Sequence, residues 1–570
     1  MWSKTIVLAF VVLPVACSKN QAVKPDTHLP GIESGNSSAP LTTQKFPPDQ
    51  KSEVPANTKI LVSFNVDIDP ATLLPTNFFL MQAGNETAVS GTVRYDAGTR
   101  TAEFVSESRL TAGVAYTAQL SAAIKDVKGN SLAQAEQWSF TTRPQGWTWV
   151  AGASEADVVG TYGSVGVADG ANFPGARDRA NSWIDSKGKI FVANGYAGSL
   201  AGPGDSYNDL WQWDGTNWTW LKGNIFPNQM GDYGTIGVAA SSNVISARHY
   251  AADAQSGDNH FVFGGYSYDN AGGTNYGNDL WKWDGTNWTW ISGSNTVSQP
   301  SVHGTLGAPD PLNHPGARAM ASAVADKNGN VWIFGGSACD EACAIKSANV
   351  LWKWDGTNWT WLSGGKVGNE SGVYGMKGTA DLANVPGARQ SASTWLDAAG
   401  NLWLFGGYGY DSAGVVGNLN DLWKWDGSQW TWVAGGNSKS EVANYGIRGK
   451  AADTNTPGPR SSDGKNVAID SRGHVWIYGG YEIDGQNGHV PLNDLWEWDG
   501  ASWTWISGSE TPLADGSYGT KGIFAGTNVP SARNASVMID ADDSIWIFGG
   551  RGKDAAGTIG NLSDLWKFNP

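Results

Sequence analysis

The stretch PGARQSASTWLDAAGNLWLFGGYGYDSAGVVGNLNDLWKWDGSQWTWVAGG, residues 386–436, decides the fold. Within it SASTWLD, NLWLFGG, NDLWKWDG and WTWVAG are short apolar or aromatic runs separated by Gly, Asp and Asn. They read as four strands, a to d, joined by turns. The same order of WTW, YG, PGAR, an apolar run ending in GG, and NDLWxWDG recurs along the chain. Its WTW elements begin at Trp147, Trp218, Trp288, Trp359, Trp430 and Trp503, 70 to 73 residues apart. A period of that size means one supersecondary unit stacked six times.

Antiparallel strands joined by tight turns give a four-stranded blade, and six blades closing radially give a propeller over residues 146–570. The array opens with a lone strand d, residues 147–152, and stops at Pro570 just after a strand c. The first strand is therefore expected to complete the last blade, which hides the sheet edges an open array would present. The GG doublets at 264–265, 335–336, 406–407, 479–480 and 549–550, each followed by the Trp residues of strands c and d, resemble kelch repeats of the galactose-oxidase central-domain type. The first repeat departs, with Asn194-Gly195. The resemblance implies an all-β fold, a six-bladed kelch-type propeller. The Trp-x-Trp spacing puts both rings on one face of a strand, so Trp423 and Trp425 should lie beside Trp430 and Trp432 as core between blades. NWT at Asn217, Asn287 and Asn358 is read as the start of strand d rather than a glycosylation signal.

Upstream, residues 41–143 change to short alternating segments such as ILVSFNV, TAEFVSE and AYTAQLS, the pattern of a small β-sandwich. Their order resembles the bacterial Ig-like domains of exported proteins, which implies a spacer or adhesion module. Residues 18–40, rich in Pro, Ser, Thr and Asn, read as a flexible tether. Residues 1–17 carry one lysine, an apolar stretch too short to span a bilayer, and Ala16 before Cys17. LPVAC resembles a bacterial lipobox, with Pro14 where leucine is usual; this implies lipidation at Cys17 and a cell-envelope location, as an outer-membrane or surface lipoprotein, with simple secretion or a periplasmic location as the alternative.

The formal charge is -15, with Lys and Arg scattered, so the basic footprint of a nucleic-acid binder is missing. Cys339 and Cys343 are the other two cysteines and are expected to form a local disulfide in an exported chain. No histidine stands beside them to make a metal set, and no metal or cofactor is expected. The motifs G-x-S-x-G, H-E-x-x-H, C-x-x-C and the P-loop are absent from the sequence.

Loop length identifies a functional end. The a–b and c–d turns are short, whereas the b–c loops run about a dozen residues and the d–a loops exceed twenty. Alternating strand direction puts the two long sets at one mouth, where binding usually sits. Arg177, Arg248, Arg318, Arg389, Arg460 and Arg533 end the PGAR-like elements there, and Tyr162, Tyr233, Tyr374, Tyr445 and Tyr518, with His303 in the third repeat, precede them. Two roles fit the arginines. They could tie their loops to carbonyls, or they could hold a carboxylate or phosphate as a guanidinium ring at the mouth; resemblance to kelch adaptor proteins implies the latter. Aspartates four residues past GG, such as Asp411 and Asp554, are read as turn formers.

The sequence thus leads to an exported, lipid-anchored, monomeric binding or adhesion protein offering its long-loop face to a glycan or an acidic protein ligand. A carbohydrate-active enzyme similar to the sialic-acid epimerases, also kelch propellers, and a structural envelope protein are the alternatives. Catalytic residues are not assigned.

Overall fold

The computed structural model describes residues 39–85, 87–198, 205–269, 272–483 and 489–570. The export signal, Cys17 and nearly all of the tether lie outside the described residues, as do Ser199 and Asp484, which stand in the first and fifth repeats where Asp411 stands in the fourth. The described chain is all-β apart from one 3-10 turn at Pro70–Thr72, and none of its helices is long and apolar enough to cross a membrane.

Eight strands form the N-terminal unit: β1 (Thr42–Phe46), β2 (Lys51–Val54), β3 (Ile60–Phe64), β4 (Phe78–Gln82), β5 (Gly91–Asp96), β6 (Thr101–Ser106), β7 (Ala115–Leu120) and β8 (Glu136–Thr142). They make two four-stranded sheets, ordered β1-β3-β6-β5 and β2-β8-β7-β4. Alternation is the cause: Ile60, Val62 and Phe64 point inward from β3, and Ala118 and Leu120 from β7. Together with Phe78, Phe104, Tyr116, Trp138 and Phe140 they form one core. Each fully buried large apolar side chain there contributes about 1.5–3 kcal/mol.

Six sheets follow, each built on four antiparallel strands, with short additional strands joined to the first and the fourth. The one containing the quoted segment runs Ser393–Leu396, Leu402–Tyr410, Val416–Trp425 and Trp430–Ala434, with neighbours antiparallel. Its register sets Trp423 opposite Trp432 and Trp425 opposite Trp430, as the Trp-x-Trp spacing predicts. The last sheet takes its outer strand from the other end of the array: β9 (Gly146–Ala151) pairs with Ile559–Asn569, Trp149 opposite Trp566 and Trp147 opposite Phe568. This is the register strand d has in the other sheets.

The GG doublets have a backbone reason. The second glycine donates its N–H to the carbonyl of the repeated arginine in the next repeat: Gly265 to Arg318, Gly336 to Arg389 and Gly407 to Arg460, at 2.8–2.9 Å, and Gly550 of the sixth repeat to Arg177 of the first, at 3.0 Å. Gly264 and Gly265 have φ of 59° and 91°, and a Cβ on Gly264 would stand 2.6 Å from the Arg318 carbonyl oxygen. A side chain is excluded by both conformation and contact. Asn194 replaces the first glycine in the first repeat at φ 59°, a conformation asparagine tolerates, and the bond from Gly195 to Arg248 is kept at 2.9 Å. The first strands of the six sheets also pack against one another in cyclic order, the sixth against the first.

The Ig-like unit rests on the short-turn end of the fifth and sixth repeats. Arg109 pairs with Asp470 and Glu497 at 2.6 and 3.2 Å, Arg143 with Asp542 at 2.9 Å, and Arg472 donates to the Glu107 carbonyl. Asp470, His474 and Glu497 bring oxygen and nitrogen atoms within 4.8 Å of one another, but the Arg109 guanidinium already supplies the cation there.

Candidate functional site

The six repeated arginines are inside the protein, each 0–1% exposed. Arg389 donates from Nη1 to Asp421 Oδ1 at 2.6 Å and from Nη2 to Oδ2 at 2.8 Å, while its Nε and Nη1 also reach the carbonyls of Gly387 and Gly406. The Tyr374 hydroxyl and the Trp423 indole N–H both donate to the same Oδ2, at 2.6 and 2.7 Å. Arg177 with Asp209, Arg248 with Asp279, Arg460 with Asp494 and Arg533 with Asp564 repeat this arrangement. Their tyrosines Tyr162, Tyr233, Tyr445 and Tyr518 donate to those aspartates in turn. Burial resists ionisation of these arginines, but the aspartate beside each outweighs it, and the same burial and carboxylate push the tyrosines well above their usual range.

The expectation that these arginines and tyrosines form a ligand-facing ring is therefore corrected. Their donors are spent on an internal carboxylate, and the arginines are too completely buried to reach a ligand, although Tyr162 and Tyr445 keep part of their rings exposed. The reading that they tie the long loops describes the geometry. Arg318 is the exception. Val350 replaces the aspartate and His303 the tyrosine, and burial alone pulls the guanidinium down to about 9.

The surface at the mouth is built by other residues. Two positions past the arginine in the first four repeats, and three past it in the fifth, stand Arg179, Tyr250, Met320, Ser391 and Asp463, all at φ between 56° and 58°. Non-glycine residues in this left-handed region cost of order 1 kcal/mol or more and are held by their surroundings. Here backbone bonds pass from repeat to repeat: Met320 N–H to Tyr250 O, Ser391 N–H to Met320 O and Ser462 N–H to Ser391 O, at 2.8–2.9 Å. The left-handed turn aims each side chain into a shared cavity of about 380 Å³, which Tyr481, His489 and Arg551 complete from strands b and c, extended past the GG doublet.

The groups in this cavity differ from repeat to repeat. Arg179 lies over the Tyr250 ring at 4.2 Å and faces Asp178 at 3.3 Å and Asp463 at 3.7 Å. Asp463 accepts from Ser391 and Asn534, both at 2.8 Å. Asp178 is fully buried, and its Oδ2 has no hydrogen-bond donor among the described residues; burial raises its pKa, with Arg179 opposing. The Tyr481 hydroxyl is likewise without a partner. His249 is held down to about 3 by burial and by Arg179, and its Nδ1 lies 2.7 Å from the Ser206 hydroxyl. A signal for these positions was present in the sequence: inside a frame that otherwise repeats, they carry Arg, Tyr, Met, Ser and Asp.

At the opposite end a second cavity, of about 520 Å³, is walled by the six first strands and holds Asp253, His260 and Lys465. Lys465 lies 3.2 Å from Asp253; burial opposes ionisation of that carboxyl, but the lysine brings it down to about 2. Cys339 and Cys343 are bonded to each other within one turn, their Cα atoms 4.1 Å apart. Asp411 and Asp554 cap their own turns, each accepting from the N–H groups two and four residues on.

Residues 36–142 match the family described as bacterial Ig-like domain, so the chain carries such a domain ahead of its repeats. No curated protein matches the chain. A solved structure named "Structure of YjhT" is similar at 14% identity and a TM-score of 0.40, over 71% of this chain and 95% of that one.

Proposed function

We propose that the six sheets form a six-bladed kelch-type propeller, carried behind the Ig-like domain on an exported, lipid-anchored chain, and that its long-loop mouth binds an acidic glycan. The observation that carries the reading is the concave mouth cavity. Its size is in the range of small-ligand sites, and it combines two arginines, the Asp463 carboxylate and several tyrosine rings that no other part of the repeat frame requires, with Asp178 buried beside Arg179. Arg179 and Arg551 suit a carboxylate, the tyrosine faces suit sugar rings, and Asp463 suits hydroxyl groups. An acidic protein segment is the other ligand these arginines fit. The propeller reading is supported by the cyclic bonds, including Gly550 to Arg177, and by the pairing of β9 with the last sheet.

A second reading, a carbohydrate-active enzyme, is favoured by one observation: the mouth is asymmetric, and Asp178 is a buried carboxyl of raised pKa beside an arginine, a combination suited to proton transfer. A glycan and acidic-peptide array probed with the chain lacking residues 1–17 tests the proposal. Retention of acidic glycans, lost in Arg179→Ala with Arg551→Ala, is the expected result; an array blank for both ligand classes contradicts it. Chemical change of a retained sugar would move the assignment to the enzyme.

A further inference from the structure

In five repeats an aspartate collects three donors: the arginine guanidinium, the tyrosine hydroxyl and the indole N–H of the following tryptophan. In the third repeat the donors remain and the carboxylate is gone. Arg318 is 1% exposed; its Nε and Nη1 reach the carbonyls of Gly316 and Gly335, and Nη2 has no acceptor among the described residues. The Trp352 Nε1–H, whose counterparts Trp281, Trp423 and Trp496 each donate to an aspartate at 2.7 Å, is buried without a partner among the described residues. His303 sits where the tyrosines sit, its ring 5.2 Å from those of Trp352 and Trp361, and its Nδ1 is turned toward Glu341 at 3.2 Å.

Val350 is shorter than aspartate by the depth of its oxygens. The space left is a cavity of about 20 Å³ bounded by Arg318, His303, Val350 and Lys366, among others. The cavity is small, with room for a compact occupant beside the guanidinium. The charges around it do not balance. Lys346 is paired with Asp340 and Lys366 with Glu341, both at 3.2 Å, which leaves the guanidinium of Arg318 as the uncompensated charge. A buried cation without a partner is strongly unfavourable, and Arg is not relieved by losing its proton at neutral pH.

We propose that a monovalent, halide-sized anion occupies this cavity, held by the Arg318 guanidinium in place of the missing aspartate carboxylate. The anion completes in the third repeat the internal ion pair that the other five encode in the chain. Chloride is the species of this class that an exported protein meets.

Crystals of the protein grown without halide and then soaked in bromide test the site directly. The expected result is an anomalous bromide peak within hydrogen-bond distance of Arg318 Nη2; an ordinary water, or no density, overturns the proposal. In solution, thermal unfolding in sodium bromide is compared with sodium gluconate, whose anion is too large for the cavity, at equal ionic strength. Halide is expected to raise the melting temperature by about 1–3 °C over gluconate, increasing with concentration. Val350→Asp, which restores the carboxylate, is expected to abolish that difference. Equal melting in both salts, or an undiminished halide effect in folded Val350→Asp, overturns it.

Discussion

Asp421 illustrates how one buried side chain organises a loop of some thirty residues. It neutralises Arg389 and accepts from Tyr374 and Trp423, so four side chains from three parts of the repeat lock together. Asp421→Ala would strand a buried guanidinium and two donors, and the expected loss is about 3–5 kcal/mol in denaturant unfolding; Tyr374→Phe should cost about 1 kcal/mol. The mouth histidine gives a pH signature. His249 is held down to about 3, against 6.5 for the free side chain, so the unfolded chain takes up the proton first. Its contribution is complete above about pH 6.5 and is lost as pH falls toward 3, by at most about 1.4 kcal/mol per pH unit. His260, shifted down chiefly by burial, adds in the same direction. Unfolding midpoints measured from pH 7 to pH 4.5 should therefore fall, and His249→Phe should flatten the slope. At this scale the sequence was only partly legible. The repeated Arg and the repeated Asp both stand in the motif, but they are 31 to 34 residues apart in sequence, and periodicity gives no sign that they meet. The joint departure of His303 and Val350 in the third repeat was the available clue.

At the scale of elements, the strands and their turns could be read well because each is a local pattern. Four apolar runs, the short a–b and c–d turns and the Trp-x-Trp spacing specify the sheet and its register, since a slip by one residue would turn Trp423 and Trp425 out of the core. The completing role of β9 followed from counting strands, and β9 takes that place. Trp147 is 1% exposed, packed at 5.1 Å from the Phe568 ring and 5.4 Å from that of Tyr478. Trp147→Ala is expected to cost about 3–5 kcal/mol and, because it loosens the junction of first and last strands, to expose β9 to protease in the native state; unchanged protection would contradict that role. The left-handed conformation of the mouth residues was not legible, although their departure from the repeat was, because that conformation is imposed by bonds to the neighbouring repeats.

On the scale of the whole molecule, the Ig-like unit rests on the short-turn end of the fifth and sixth repeats, away from the long-loop mouth. The contact is ionic, and Arg109→Ala is expected to undock the unit, increasing the radius of gyration in X-ray scattering. His474 lies beside this contact: the Glu497 hydrogen bond raises its pKa, against some burial and the Arg109 charge, so its contribution to the stability of its own repeat is present below pH 6.5 and is lost as pH rises through its folded value. Sequence order alone placed the sandwich ahead of the array, but not this docking, since the residues in contact are separated by more than 350 positions and carry no shared pattern. The central claim is that recognition belongs to the unrepeated mouth. The measurement that tests it most directly is calorimetric titration of an acidic glycan retained on the array into the wild-type chain and into Arg179→Ala with Arg551→Ala. At least a tenfold loss of affinity, about 1.4 kcal/mol, with an unchanged melting temperature, is the predicted result. Equal affinity in the folded double variant would contradict the account and move recognition elsewhere on the chain.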